Sequence, residues 1–288
     1  MIDKLKIVKS ENEKYPETLK NISNPPEQLY VLGNIENLKL DGIAIIGSRS
    51  CSDRGKEIAY EYAYKLSKLG FTIISGMAKG IDAEAHIGAL DAGGKTIAVL
   101  GGGFNHIFPK ENAELFKRII ENNGTVISEY NPSTYYSSKR FIERNRIVSG
   151  LSKGVLVVEA KYRSGTSITA DFAKRQEKEV FCIAHSLDDN TGEGTNRLIK
   201  NGAHLVTELS DITDVFGYQE SINTEIHKPK KNVPEEYLKI YKCIEENINT
   251  VNEIIKKLKI NITEVNYKLT MMELENLILK DNGKFYIK

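Results

Sequence analysis

The sequence predicts an α/β protein: a doubly wound, mostly parallel, Rossmann-like sheet followed by a small C-terminal winged-helix-like domain. Three observations carry this. Short, nearly unbroken apolar runs recur from Gly42 onward, each followed by a longer stretch of helical pattern. Glycine-rich turns sit directly after several of those runs. The alternation stops near residue 217, and a short segment of helical pattern closes the chain.

The runs are 43–47 (IAIIG), 71–75 (FTIIS), 96–100 (TIAVL), 125–128 (TVIS), 154–158 (GVLVV), 179–183 (EVFCI) and 203–206 (AHLV). Strands without polar alternation are buried on both faces, as parallel strands between helical layers are. The helical patterns lie near 54–69, 81–92, 111–123, 140–150, 167–177 and 194–201. Right-handed crossovers place every strand-to-helix loop on one edge, and ligands of such sheets bind beyond the carboxyl ends of the strands. Residues 1–40 read as a short lead-in, with Pro25-Pro26 imposing an extended turn. The Rossmann-like domain is expected over 41–216. Residues 217–233 lack apolar periodicity and read as a linker. The second domain is expected over 234–288, with helices near 235–247, 250–258 and 263–279. Its third helix is expected to bury Val265, Leu269, Met272, Leu274 and Leu277. Asn282-Gly283 reads as a tight turn into a last short strand.

A length of 288 residues suits two domains. The formal net charge of +1 points neither toward nucleic acid nor away from it, so any such site must be a local patch. The three cysteines, Cys51, Cys182 and Cys243, form no CxxC pair. This argues against a zinc module or a disulfide framework and fits a reducing compartment. The N-terminal residues do not resemble a secretory leader, and no run approaches the roughly 20 apolar residues of a membrane span. The expectation is a soluble, cytoplasmic protein without a membrane partner.

Candidate chemistry sits in the loops. Gly47, Ser48 and Arg49 follow the first strand, where backbone N–H groups and a guanidinium fork suit a phosphate. The plain alternative is a tight turn with a solvated arginine. Lys79 lies between two glycines in SGMAKG, ahead of a helix start that favours anions. There the alternative is a glycine loop with Asp82 as helix cap or first-turn acid. Gly101, Gly102 and Gly103 make sense where something approaches the backbone closely; a flexible loop is the bland reading. The stretch KRFIERNR holds Lys139, Arg140, Arg144 and Arg146 around Phe141, with Tyr135 and Tyr136 just before it. Cations interleaved with rings suit a single strand, in which charges meet phosphates and rings stack on bases. The alternative is a charged helix face with Phe141 in the core. Ser164, Gly165, Thr166 and Ser167 follow the fifth strand as a helix cap or phosphate nest.

Enzyme signals are weak. There is no GxxxxGK[ST] loop and no GxSxG elbow. Asp82 and His86 stand at i,i+4 with no third metal ligand nearby, and His185 with Asp188 and Asp189 is weaker still. No catalytic residue, metal or cofactor is expected.

Read together, YPETLKNISNPPEQLYVLGN (15–34), IAIIGSRSCSDRG (43–55), IISGMAKGIDAEAHIGAL (73–90), TIAVLGGGFNHIFPKEN (96–112), VISEY (126–130), FIERNRIVSGLS (141–152), VVEAKYRSGTSITADFA (157–173) and GTNRLIKNGA (194–203) resemble the DNA-processing protein A (DprA/Smf) family. The resemblance covers about residues 15–206. It implies an extended Rossmann-like domain that binds single-stranded DNA, dimerises, and helps load a RecA-type recombinase in natural transformation. It associates Arg49, Lys79, Phe141, Arg144 and Arg146 with DNA, and places Gly47, Ser48 and Gly165–Ser167 on the same edge. Many members carry a longer N-terminal helical domain, so the lead-in reads as a truncated one. The C-terminal unit holds nine Lys/Arg against nine Asp/Glu. A groove reader is normally basic, so a protein-contacting or regulatory role is expected there. Two rivals remain. One is a nucleotide-processing Rossmann enzyme similar to the cytokinin-activating phosphoribohydrolases, disfavoured because residues 163–169 lack that family's PGGxGTxxE loop. The other is a winged-helix regulator of duplex DNA, which the neutral tail disfavours.

Overall fold

In the run that begins at Gly42 every residue is buried. Ile43 and Ile45 face one layer of core while Ala44 and Ile46 face the other, so strand β3 (Gly42–Ile46) needs helices on both sides. The same two-sided burial holds for β4 (Thr72–Ser75), β5 (Thr96–Val99), β6 (Thr125–Ser128) and β7 (Gly154–Val157). The computed structural model describes residues 4–162, 164–218, 233–246, 248–275, 277–281 and 283–287. The chain divides into two units, Met1–Ile226 and His227–Lys288.

With β1 (Lys6–Lys9) and β2 (Gln28–Gly33) at one edge and β8 (Glu179–Ile183) and β9 (His204–Val206) at the other, the first unit holds a nine-stranded sheet in the order β1-β2-β6-β5-β4-β3-β7-β8-β9. From β6 through β9 all neighbouring strands are parallel. Helices α2 (Asp53–Lys68) and α3 (Ile81–Asp91) supply Ala59, Ala63, Leu66, Ile81, Ala85 and Ala89 to one face. Helix α4 (Ala113–Glu121) adds Leu115, Phe116 and Ile119 beside Ala98 and Val126. The other face takes Ile147, Val148 and Leu151 of α5 (Ser138–Leu151) and Ala170 and Ala173 of α6 (Gly165–Arg175). Leu198 of α7 (Glu193–Lys200) joins that cluster. The chain winds outward from β3 to β6, then α5 returns it to the other side of β3 to start β7. Adjacent strand-to-helix connections diverge at that reversal, which opens a crevice at the carboxyl edge.

The lead-in is part of this sheet. β1 (Lys6–Lys9) pairs antiparallel with β2 (Gln28–Gly33), and β2 pairs antiparallel with β6. Between them lies a single helical turn, α1 (Glu17–Lys20). KIVK is too short to show a period, and no crossover helix follows QLYVLG, so neither run shows in the strand–helix alternation. Val8, Leu19, Leu29 and Val31 join the main cluster, and the buried Tyr15 hydroxyl donates to the Pro26 carbonyl at 2.7 Å. At the other end, α8 (Ser210–Thr213) carries Ile212 into the core. Gly217 and Tyr218, expected as linker, belong to this unit. The Tyr218 ring lies 4.4 Å from that of Phe71, and its hydroxyl donates to Asp41 at 3.1 Å. Residues 219–232 of the expected linker lie outside the described residues.

The second unit comprises α9 (Leu238–Glu245), α10 (Val251–Leu258), α11 (Ile262–Leu274) and a hairpin of β10 (Ile278–Asp281) with β11 (Lys284–Ile287). Ile240, Ile254, Val265, Leu269, Met272, Leu277 and Phe285 form its core. Thr250 and Glu253 make a reciprocal capping box at the start of α10. The third helix ends at Leu274 and not near 279, because Ile278 pairs with Ile287 as a strand. Leu274, expected in the core, is 72% exposed: two residues on from the buried Met272, it lies on another face of the helix. Gly283 has φ +78° in the hairpin turn; Asn282 lies outside the described residues. No helix among the described residues is long and apolar enough to cross a membrane.

Val8, Leu19, Leu29 and Val31 are each at most 1% exposed, and burying such a side chain contributes roughly 1.5–3 kcal/mol. Removing residues 1–33 should therefore abolish cooperative unfolding, as followed by near-ultraviolet circular dichroism during heating. A truncated chain that melted like the full one would show β1 and β2 to be peripheral.

Candidate functional site

The crevice between the β3 and β7 connections is a cavity of about 680 Å³. The turn after β3 contributes Gly47, Ser48 and Arg49, the β4–α3 connection contributes Gly76 and Ala78, and the first turn of α3 contributes Asp82. From α5 come Phe141, Arg144 and Asn145, and from the β7–α6 side Lys161, Ser164, Gly165 and Thr166. Phe108 and Tyr136 complete the rim. A smaller annex of about 90 Å³ brings Lys79 beside Arg49, Phe108 and Phe141. The loops after β3 and β4 thus do share one groove, as the doubly wound order requires.

Arg144 forms the floor. It is 4% exposed, and its guanidinium donates to the carbonyls of Gly76, at 2.6 Å, and Val99, just past β4 and at the end of β5. Asp82 lies nearby and accepts from the backbone N–H groups of Gly76 and Ala78 at 3.1 and 3.4 Å. Burial pushes the Asp82 carboxyl above its ordinary range, opposed by the Arg144 charge and those two N–H groups. Burial likewise lowers the Arg144 pKa to about 10, which leaves it charged at neutral pH.

Above this floor the groups are exposed or half-buried. The Arg49 guanidinium carbon sits 5.2 Å from the Phe141 ring centroid. Phe108 lies 4.4 Å from Tyr136 and 5.5 Å from Phe141, centroid to centroid. Beyond them Tyr135, 67% exposed, stacks on His106 at 3.7 Å. Lys79 makes an exposed ion pair with Glu111 at 2.6 Å. Lys139 projects into solvent near Glu143 at 3.7 Å. Arg140 donates to the Tyr135 carbonyl at 2.7 Å and lies over the Tyr130 ring. Phe141 is half-buried on the cleft and not in the core.

Other candidates are placed differently from expectation. Arg146 is absent from the cleft lining. It is 7% exposed, pairs bidentately with Glu129 at 2.8 and 2.7 Å, and donates to the Asn24 carbonyl at 2.8 Å. On α5, Arg144 and Arg146 are two residues apart and therefore point in different directions, so one basic run cannot form one patch. What approaches Gly101–Gly103 so closely is the chain itself. A Cβ at these positions would lie 2.4 Å from Phe141, 2.9 Å from the Tyr136 backbone and 2.2 Å from the Asn131 carbonyl. At α6 the cap is Ser164, whose hydroxyl accepts from Ser167 N at 3.4 Å; Gly165 and Thr166 face the cleft, and Ser167 is absent from its lining. His86 is buried and donates from Nδ1 to Thr96 Oγ1 at 2.7 Å, since that hydroxyl itself donates to the Ile73 carbonyl. Burial pushes the imidazole down to about 3, so it stays neutral. Asp82 serves the backbone instead. Among the described residues no group of three or more potential metal ligands occurs.

One acid escaped sequence reading. Glu159, fully buried beyond the end of β7, accepts from the Ser52 backbone N–H at 3.0 Å and from the Ser52 hydroxyl. Ser52 in turn caps α2, accepting from Gly55 N at 2.9 Å. The turn that carries Arg49 is thus tied at its far end to β7. The only sequence signal was a lone acid closing a run of valines. Phe108, Asn145 and Lys161 also line the cleft without having been singled out.

These placements separate structural from available charges. Arg146→Ala removes a buried guanidinium and strands the half-buried Glu129, and should cost about 3–5 kcal/mol in urea unfolding. Glu159→Gln leaves a Ser52 donor unmatched and should cost about 1–3 kcal/mol. Arg49→Ala, on the exposed rim, should stay within about 0.5 kcal/mol of the parent. Equal effects from Arg146→Ala and Arg49→Ala would refute the division.

Comparison with known proteins matches this architecture. A sequence profile of DNA recombination-mediator protein A matches residues 6–217. The chain is 41% identical over 204 residues to DNA processing protein DprA of Streptococcus pneumoniae, covering 71% of this chain and 72% of that one. It is 30% identical over 308 aligned positions to protein Smf of Synechocystis, covering 94% and 77%. The X-ray structure of DprA from Streptococcus pneumoniae superimposes with a TM-score of 0.70 at 37% identity, over 76% of each chain. A structure of DNA processing protein A from Helicobacter pylori, described for its single-stranded DNA binding mode, superimposes with a TM-score of 0.67 at 28% identity, over 74% of this chain and 95% of that one. The chain belongs to the DNA recombination-mediator protein A family, the DprA/Smf proteins.

Proposed function

We propose that this protein binds single-stranded DNA along the carboxyl-edge cleft, protects it, and helps load a RecA-type recombinase onto it. The observation that carries the reading is the pairing of cations with stacking surfaces in one groove. Arg49, Lys79 and Lys161 are placed to meet phosphates, and Phe108, Tyr136 and Phe141 offer rings to bases. Single strands are bound in this way without sequence preference, since every base has a π-face. The Lys79–Glu111 pair is exposed, so it contributes little and yields readily to a phosphate. The Helicobacter pylori relative, whose structure is described for its single-stranded DNA binding mode, supports the same reading. Dimerisation through the first unit, recombinase loading, a cytoplasmic setting and a place in natural transformation belong to the proposal through family membership. Within the second unit, Lys268 of α11 is paired with Glu264 at 2.7 Å, and its neighbours include Glu273 and Glu275. That helix is a poor reader of phosphate, and the unit is assigned a protein-contacting role.

If Arg49, Lys79 and Lys161 neutralise about three phosphates, log affinity should fall with log salt at a slope near −2. Arg49→Ala should flatten that slope by about 0.7 without changing base preference, and Lys79→Ala likewise. Arg146→Ala should leave it unchanged. Fluorescence anisotropy with an oligothymidine across a salt series decides this. Unchanged slopes for both Arg49→Ala and Lys79→Ala would move the site elsewhere.

Ending the chain after Ile222 should leave single-strand affinity within a few-fold. A hundredfold loss in the same anisotropy titration would place a DNA site in the second unit.

A further inference from the structure

We propose that Tyr162 and Arg197 form an additional nucleotide-stacking subsite, which extends the track of a single strand beyond the cavity on its β7–α7 flank. The inference rests on the reading of the cleft as a single-strand site, and it concerns residues outside the cavity lining. Lys161 lines the cavity, and so do Ser164 and Gly165. Tyr162 sits between these positions on the rim, with 39% of its surface exposed.

The neighbouring helix is held against this rim by a close approach. Gly194, in the first turn of α7, donates from its backbone N to the Ala160 carbonyl at 2.6 Å. A Cβ there would lie 2.5 Å from the Ala160 oxygen and 2.7 Å from the Lys161 oxygen, so only glycine fits. Arg197 follows three residues later on the same helix face. Its guanidinium carbon lies 4.5 Å from the Tyr162 ring centroid. Arg197 is exposed, and among the described residues it makes no ion pair with a carboxylate. A ring with a cation over it supplies both groups that a nucleotide needs, a stacking surface and a phosphate partner.

The placement gives the groove two aromatic flanks. Phe108, Tyr136 and Phe141 stand on the α5 side, and Tyr162 stands on the β7–α7 side. Between β5 and β7, whose connections carry Phe108 and Tyr162, lie three strand spacings, about 14 Å of carboxyl edge at roughly 4.8 Å each. The ligand is a base of any identity with its adjoining phosphate, because neither stacking nor a guanidinium reads a base edge.

The chain contains no tryptophan, so Tyr162→Trp introduces a single reporter. In the full-length protein, Tyr162→Trp should still bind a 12-residue oligothymidine. Its fluorescence should be quenched over the same concentrations at which anisotropy rises. Tyr162→Ala should weaken binding about tenfold at an unchanged melting temperature. Arg197→Ala should flatten the salt slope by about 0.7, and Arg197→Lys should restore it. An oligomer that binds without quenching the tryptophan overturns the subsite, as does parental affinity and slope in both alanine variants. An affinity loss accompanied by a lower melting temperature also counts against it. If the parent protein binds no single strand at all, the failure lies with the cleft reading itself.

Discussion

The buried guanidinium of Arg144 is the contact on which the cleft depends. Carbonyls at the carboxyl edge of a parallel sheet point outward, and under a covering helix they need donors. Arg144 supplies them to Gly76, just past β4, and to Val99 at the end of β5, while Asp82 takes the N–H groups of Gly76 and Ala78. A buried charge left alone would be expensive, so the acid and the arginine are tolerable only together. This pinning draws α5 across the strand ends. Phe141, one turn before Arg144, and Asn145, just after it, are thereby held on the cavity wall.

The cations of this protein fall into two groups by what faces them. Arg144 and Arg146 spend their hydrogen bonds on carbonyls and on Glu129. Arg49, Lys79 and Lys161 stand in or beside the cavity with exposed or half-exposed side chains. Under the proposed function, an incoming phosphate would compete with water and a weak surface pair at the second group, and with a buried network at the first. A net charge of +1 therefore hides a local excess of available positive charge at one edge of one sheet.

Close backbone approach recurs as the means of shaping that edge. Gly101–Gly103 let the segment from Asn131 to Phe141 lie directly on the β5 connection, which carries Tyr136 and Phe141 to the rim. Gly194 lets α7 lie directly on the β7 connection and carries Arg197 over Tyr162. On both flanks, glycine in one element sets the position of an aromatic residue in or against another. Glu159 does the comparable work with hydrogen bonds, since it ties Ser52, and with it the turn bearing Arg49, to the end of β7.

Sequence alone determined the alternation of strands and helices from Gly42 to Val206, because two-sided burial and helical periodicity are local patterns. It also placed Gly47, Ser48, Arg49, Gly165 and Thr166 at the carboxyl edge, because a loop that follows a parallel strand has nowhere else to go. It did not reveal that Lys6–Lys9 and Gln28–Gly33 extend the sheet, since an edge pairing is made by a distant partner. Nor did it separate Arg144 and Arg146 from the exposed cations beside them. The fate of a charge is set by what stands opposite, and those partners are remote: Gly76 lies 68 residues from Arg144, and Asn24 lies 122 from Arg146. Only the tertiary structure, by bringing such groups into one low-dielectric interior, decided which arginines hold the fold and which remain available to a ligand.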